Sequence, residues 1–295
     1  MLPLKNELSK LNDIRQNIKN WYVVPLFKYG LIKKATFVTR RGDRAEIRNN
    51  EDYYTFFSGR KWGIQKLGPV ERRVSITENC VILDNKFRFA YHHETELGAT
   101  LLMMGEVQND EYASLEVSGR AVIDIGANIA DSAIYFISKG AASVIAFEPF
   151  PATYRQAKEN IELNGMGGRI TLLNMGVGGK RQKVRLPTSF IGTSGMDSIG
   201  KSALGQNSGD GEEIDIITLA DIAEMYPEEG VVVKMDCEGC EYAAILGAEN
   251  ETLRHFSAFI LEYHSGSSSL IKKFNEAGFK PELKSRRILL AVRKG

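Results

Sequence analysis

Cysteine is scarce in this 295-residue chain: Cys80, Cys237 and Cys240 are its only three. Three cysteines cannot build the disulfide framework of a small secreted domain, and the low count agrees with a reducing compartment. No apolar run approaches the ~18–20 residues needed to span a bilayer, so no membrane span is expected. The opening stretch MLPLKNELSKLNDIRQNIKN is charged throughout and holds no signal-peptide apolar region, which makes a cytoplasmic protein the expectation. Basic runs interleaved with aromatics are missing as well, so no nucleic-acid partner is expected. No internal repeat is present.

What remains has the composition of an ordinary globular protein, 43% hydrophobic and 25% charged. The length suits one large domain, or a core domain with an extension. The formal charge of +1 hides an asymmetry. Residues 1–95 hold 18 Lys/Arg against 10 Asp/Glu (+8), and residues 96–295 hold 20 against 27 (−7). A solvated basic surface accounts for the first, although it would also suit an anionic partner.

Leu4, Leu8, Leu11, Ile14 and Ile18 recur at the three-to-four spacing of an amphipathic helix over 4–20. From Trp21 to about Glu94 short β-branched and aromatic runs take over, such as Ala35–Thr39, Val81–Leu83 and the alternating Phe87, Phe89 and Tyr91. From about residue 95 strands and helices alternate. Strands are expected at Ala121–Ile125, Ser143–Phe147, Ile170–Met175, Val231–Met235 (apolar save Lys234) and Ala258–Leu261. Helices are expected at Asp131–Lys139, from Pro151 to Asn164, from Glu241, and at Leu270–Ala277. Lys280–Lys284 and Ile288–Arg293 read as an antiparallel finish. Apolar strands separated by helices imply a mainly parallel sheet covered on both faces, with ligands in the crevice beyond the strand C-termini. Two domains are expected, 1–95 and 96–295. The stretch 188–211, with eleven Gly or Ser among 24 residues, reads as a flap on the substrate side of that crevice.

The first strand runs into a turn and a helix as VIDIGANIADS. Asp124 ends an otherwise apolar strand, where its charge is costly unless a ligand or backbone donors satisfy it. Gly126 gives the backbone a turn where a side chain would block a ligand, and the helix that follows points its N-terminus at the same place. A dinucleotide loop would place glycines at 126, 128 and 131. Here Asn128 and Asp131 stand at the last two, and Asp131 would repel a phosphate. A cationic amino-acid ligand is the better match.

Glu148 closes the second strand, 24 residues after Asp124. An acid there can accept both hydroxyls of a ribose. A ribose contact without a phosphate loop points to S-adenosyl-L-methionine, which joins an adenosine to an amino-acid end through a sulfonium cation.

These stretches, VIDIGANIADSAIYFISKGA, VIAFEPFPATYRQAKENIELN and VVVKMDCEGCEYAAI, resemble the FkbM-type methyltransferases of the Rossmann-like, S-adenosylmethionine-dependent class. EVQNDEY and FILEYH match too, so the resemblance covers about residues 95–265. It implies an α/β class I methyltransferase fold, a mainly parallel seven-stranded sheet with helices on both faces, beside a small strand-rich N-terminal extension. Ala130 departs from the glycine usual there, and a methyl group should be tolerated. Carried over, Asp124, Gly126, Ala127 and Asn128 would line the methionine and ribose end, and Glu148 would hold the ribose hydroxyls. Met175 and Gly176 would border the adenine, and Tyr112 would close over the cofactor with Glu106 nearby.

Asp236, Glu238 and Glu241 put three carboxylates within six positions after the fourth strand. Acids at a helix start explain Glu241 and in part Glu238, but not Asp236, which ends a buried strand. Methyl transfer to a hydroxyl needs close positioning of the two reactants and a base for the hydroxyl proton. Asp236 stands where this class contacts the methionine end or the acceptor, and Glu238 is the first candidate base. Glu262 and His264, closing the fifth strand, join the candidates; the histidine reads as a structural group, a base or a hydrogen-bond partner of substrate. The same four could hold a divalent ion, but no fixed ligand spacing appears and no metal is expected. Cys237 and Cys240 form a C-x-x-C, read here as two small residues packed around the acidic turn rather than as a redox or zinc pair.

The expected protein is therefore an S-adenosylmethionine-dependent methyltransferase. The resemblance implies an oxygen nucleophile on a small molecule or glycan. A nicotinamide-dependent oxidoreductase, disfavoured by the missing glycines, and a non-catalytic cofactor-binding module are the alternatives.

Overall fold

In a computed structural model the described residues are 19, 22–23, 33–38, 44–48, 74–77, 79–84, 86–92, 100, 112–188, 211–285 and 287–295. The helix expected over 4–20, Glu106 and nearly all of the 188–211 stretch lie outside them. The described residues fall into two compact units, one drawn from 1–71 and 92–102, the other from 72–91 and 103–295. In the first, β1 (Ala35–Val38) pairs antiparallel with β2 (Arg44–Ile47), with Phe37 and Ile47 buried. Residues 72–91 thus belong to the larger unit.

The reason is visible along one helix of that unit. β3 (Val74–Ile76), β4 (Cys80–Leu83) and β5 (Phe87–Ala90) form a three-stranded antiparallel sheet. Amide side chains of a helix spanning Pro151–Leu163, and of the residue capping it, complete the hydrogen bonding of β5. Gln156 Nε2 donates to the Ala90 carbonyl at 2.8 Å, Asn160 Oδ1 accepts from the Ala90 N–H at 2.7 Å, and Asn164 bonds both the N–H and the C=O of Arg88. Backbone groups left at a strand edge need partners, and these amides supply them.

The main sheet follows from the alternating strands and helices. β6 (Ala121–Ile125), α1 (Asp131–Ser138), β7 (Ser143–Phe147), α2 (Pro151–Leu163) and β8 (Ile170–Leu173) come first. Pro151 opens α2 at a position where its missing N–H costs nothing. β9 (Gly176–Val177), β10 (Gln182–Leu186) and β11 (Glu212–Ile217) make a small sheet in the order β10-β11-β9. Thus the stretch 188–211 joins two antiparallel strands that periodicity alone did not separate from loop. α3 (Leu219–Met225) begins in a capping box between Thr218 and Asp221.

The rest of the chain is β12 (Val232–Met235), α4 (Cys240–Gly247), α5 (Asn250–His255), β13 (Ala258–Glu262), α6 (Ser268–Glu276), β14 (Phe279–Leu283) and β15 (Ile288–Arg293). The seven-stranded sheet runs β14-β15-β13-β12-β6-β7-β8. Strands β13 to β8 in that order are parallel, and β15 is antiparallel to both its neighbours. This is the Rossmann-like seven-stranded arrangement expected from the sequence.

Its core is largely aliphatic at β6, β7 and β12, with Phe147 the aromatic exception, and aromatic towards β14. Phe256, Phe259, Phe274 and Phe279 are all buried, with ring centroids 5.2–5.6 Å apart in tilted and edge-on pairs. Register aligns Asp124 on β6 beside Lys234 on β12. The C-terminal ends of β6, β7, β12 and β13 therefore meet at one edge. Among the described residues no helix is long and apolar enough to cross a membrane.

Candidate active site

The loop between β6 and α1 crosses the end of β7. The N–H groups of Gly126 and Ala127 both donate to the Phe147 carbonyl at 3.0 Å. Gly126 has φ +78°, and a Cβ there would lie 2.0 Å from the Asp236 carbonyl oxygen. The glycine expected to admit a ligand is thus demanded first by protein backbone, because the β12 turn presses directly on it. Asn128 (φ 47°) and Ala130 (φ 67°) also adopt left-handed conformations, a costly choice for residues with a Cβ. Ala130 caps α1 with no side-chain hydrogen bond.

Asp124 is fully buried, and its charge is met by protein rather than by a ligand. Lys234 Nζ lies 3.1 Å from Oδ1, at an angle too poor for a hydrogen bond, and Ser132 Oγ donates to Oδ2 at 2.7 Å. Lys234 is itself 1% exposed; its ammonium donates to the Gly126 carbonyl at 2.9 Å and stands 5.5 Å from the centre of the Tyr112 ring. Lys234 and Ser132 went unassigned in the sequence, although a lone lysine inside an apolar strand was the signal. A buried ammonium has to find a carboxylate, and Asp124 is its register neighbour.

Asp131, at the first turn of α1, is 1% exposed, and its Oδ2 has no hydrogen-bond partner. Burial pushes its carboxyl up to about 8; the Asp124 charge adds to this and Lys234 opposes it. The buried Asn128 Oδ1 is likewise without a partner.

Glu148 is 4% exposed. Its Oε2 accepts from the Asn128 N–H at 2.9 Å and its Oε1 from the Phe150 N–H at 3.0 Å. Burial pushes it up to about 7 despite those two donors. Both oxygens are fixed in place with lone pairs to spare. Asn174 Nδ2, a residue not picked out in the sequence, donates to the Glu148 and Pro149 carbonyls and holds the end of β8 against that of β7. Met175 is half-buried against the core, and a Cβ on Gly176 would meet Ile216 Cδ1 at 2.5 Å.

At the end of β12 the acidic turn is tightly tied. Tyr112, buried, donates its hydroxyl to Asp236 Oδ2 at 3.2 Å. Glu241 is fully buried and accepts from the N–H groups of Cys237 (3.0 Å) and Gly239 (2.9 Å), so it shapes the turn rather than merely facing a helix dipole. Cys237 and Cys240 are joined by a disulfide, with Cα atoms 5.5 Å apart. This corrects the reading of two independent small residues: a C-x-x-C at a helix start brings its side chains to bonding range. Cys80 is not bridged.

His264 collects the acids. Its Nε2 is 3.3 Å from Glu238 Oε2 and 4.0 Å from both Asp236 Oδ1 and Glu262 Oε1, while Nδ1 is 3.6 Å from Glu241 Oε1. That last separation suits an ion pair and not a hydrogen bond. The surrounding carboxylates, Glu241 foremost, push the imidazole up to about 9, so it is a cation at neutral pH. Burial raises Glu238 and Glu262 above the usual carboxylate range; His264 opposes this in both, and neighbouring acids reinforce it. Donor atoms of Asp236, Glu262 and His264 lie within 4.8 Å of one another, close enough to surround a cation. The four candidate catalytic residues are therefore brought together. They stand on the same sheet edge as Glu148, Asp131 and Asn128.

A seven-stranded sheet of this order, with acids at the ends of β6, β7 and β12 gathered at one edge, has the architecture of the class I, Rossmann-like methyltransferases. The Methyltransferase FkbM domain matches residues 124–281, and the chain belongs to that family. S-adenosyl-L-methionine as the methyl donor, expected from the sequence, agrees with this membership. The orphaned buried oxygens of Asp131 and Asn128 and the rigid Glu148 carboxylate fit such a group.

Solved structures similar to the chain include a protein of the NADB-Rossmann superfamily from Streptococcus agalactiae (17% identity, 64% of this chain and 68% of that one, TM-score 0.38). Ribosomal protein L11 methylase from Lactobacillus delbrueckii subsp. bulgaricus is another (18%, 66% and 80%, TM-score 0.37). A third is a putative tRNA (m1A22) methyltransferase from Streptococcus pneumoniae in complex with S-adenosyl-L-methionine (16%, 63% and 70%, TM-score 0.37). No curated protein matches the chain.

Proposed function

We propose that this methyltransferase moves the methyl group of S-adenosyl-L-methionine to a hydroxyl oxygen of a small molecule or glycan. The observation that carries the cofactor half of this reading is Glu148: a buried carboxylate, clamped by two backbone N–H groups, beside a loop without the glycines of a dinucleotide turn. Such a group accepts a ribose diol and offers nothing to a pyrophosphate.

In this reading Glu148 takes the ribose hydroxyls, and Met175 and Gly176 border the adenine. Asp131 supplies the buried negative charge for the ammonium of the methionine end, since the charge of Asp124 is already matched by Lys234. Asp124, Gly126, Ala127 and Asn128 set the loop on which that end rests. Tyr112 acts by holding Asp236. When bound, the cofactor supplies a methyl group made electrophilic by its sulfonium.

Glu238 receives the proton of the attacking hydroxyl; its raised affinity for protons and its half-exposed position at the rim suit that task. His264, held as a cation by four carboxylates, donates a hydrogen bond to the acceptor and keeps the acidic cluster from repelling it. Asp236 and Glu262 orient the histidine. Cytoplasmic residence goes with this assignment.

Calorimetric titration tests the reading. S-adenosyl-L-methionine binds and NAD does not; tight binding of NAD alone reverses the conclusion. Screening labelled methyl transfer into a cell extract identifies the acceptor class, and label found only on RNA or protein rejects a small-molecule or glycan acceptor.

A further inference from the structure

Two residues used nowhere in that chemistry sit at its centre. Cys237 and Cys240 bracket Glu238 and Gly239, so the disulfide closes a small ring around the candidate base. Inside the ring both residues are left-handed, Glu238 at φ 54° and Gly239 at φ 119°. Gly239 adopts that conformation freely, but Glu238 has a Cβ and is disfavoured there unless held. The bond is one restraint. The other is Glu241, which accepts from the N–H groups of Cys237 and Gly239.

The turn is also coupled to the cofactor loop. A Cβ on Gly126 would meet not only the Asp236 carbonyl but the Cα of Cys237 at 3.0 Å, so the two backbones are in contact. Any relaxation of the turn moves both the surface under Gly126 and the carboxylate of Glu238.

We propose that Cys237 and Cys240 form a reversible redox-modification site, acted on by dithiols, that sets the competence of the methyltransferase site. The inference rests on the functional reading above for its effect on activity, and on the turn alone for its chemistry. Cys240 is buried and Cys237 only half-buried, so the incoming thiolate attacks Cys237 Sγ. The protein S–S bond breaks, a mixed disulfide forms at Cys237, and Cys240 leaves as a thiolate that takes a proton. The second thiol of the reductant then attacks its own sulfur in the mixed disulfide and frees Cys237. The protein gains two electrons and two protons, and the dithiol becomes a disulfide. Once opened, the turn keeps only the Glu241 hydrogen bonds, and Glu238 leaves the left-handed region.

The test compares the untreated protein, the protein reduced with dithiothreitol, and a Cys237→Ser/Cys240→Ser variant. Hydrogen exchange of residues 236–241 and calorimetric titration with S-adenosyl-L-methionine are read on each. Reduction is expected to speed exchange in that segment and weaken binding about tenfold; reoxidation restores both. The double variant matches the reduced form with or without dithiothreitol. Alkylation before reduction labels Cys80 and spares the other two. Equal exchange in oxidised and reduced protein overturns the proposal, as does a double variant that exchanges like the oxidised form. If no form binds S-adenosyl-L-methionine, the functional reading fails, while the exchange comparison still decides whether the switch exists.

Discussion

Lys234 and Asp124 lie side by side on adjacent parallel strands, with Nζ 3.1 Å from Oδ1 and neither side chain open to water. An ion pair of this kind adds little over an apolar pair, but breaking it leaves one buried charge without a partner. Lys234→Met is therefore expected to destabilise the fold by about 3–5 kcal/mol. The Lys234→Met/Asp124→Asn double variant should be less destabilised than the sum of the two single changes. Denaturant unfolding of the four proteins measures the coupling, and strict additivity would mean that the pair acts independently.

Gly126→Ala and Gly176→Ala make a contrasting pair. At 126 the new methyl collides with the Asp236 carbonyl in a left-handed backbone, so a loss of about 2–4 kcal/mol and of cofactor binding is expected. At 176 the obstacle is the tip of the Ile216 side chain, which can turn aside. There the cost should stay under about 1.5 kcal/mol. Thermal unfolding of both variants separates a backbone collision from a side-chain one.

Ala130→Gly should do the opposite of most glycine substitutions. Ala130 pays for its φ of 67° with no cap hydrogen bond in return. Relief of that strain is expected to stabilise the protein by about 0.5–1 kcal/mol. A melting temperature unchanged or lowered would show that the alanine methyl packs well enough to offset it.

The pH dependence follows from Glu148 and Asp131, both pushed upward by burial, to about 7 and about 8. A carboxyl with a raised folded value holds a proton that the unfolded chain has released. Its contribution to stability therefore falls as pH rises from the unfolded value through the folded one, for Glu148 from 4.5 to about 7. Ligand binding runs the other way, because ribose hydroxyls and an ammonium prefer the ionised acids. Affinity for S-adenosyl-L-methionine should rise between about pH 6 and 8.5, with protons released on binding at pH 7. Titration in buffers of different ionisation enthalpy counts those protons. Glu148→Gln and Asp131→Asn should each remove part of the count, and variants that release as many protons as the parent would rule these groups out.

Glu148→Ala should weaken S-adenosyl-L-methionine binding by ~1.5–3 kcal/mol through the lost charge-assisted bonds. An unchanged dissociation constant would refute the ribose role. On an identified acceptor, Glu238→Gln should depress turnover and His264→Ala should raise the Michaelis constant for the acceptor. If both variants retain full turnover and affinity, the base and its partner lie elsewhere.

Periodicity and composition by themselves determine the main strands and helices of the alternation from β6 to β15, because a buried parallel strand has to be apolar on both faces and a helix on one; the family rests on the resemblance of whole motifs. The same signals also place the candidate acids at strand ends or at the turns and helix starts that follow them, since the crevice of such a sheet lies there. They did not find β10, β11, α3 or α5, which are short and whose signals are weak beside the Gly/Ser-rich stretch. Only the tertiary structure decided what each acid faces. Asp124 stands out in sequence as a charge in need of a partner, and strand register supplies Lys234, more than a hundred positions away. Gly126 reads in sequence as space for a ligand, and the β12 turn fills that space with its own backbone. Sequence alone leaves Cys237 and Cys240 as two small residues, and the geometry of one helix start joins them. Pairing between distant strands fixes such neighbours, and local sequence carries no record of which strand will lie alongside.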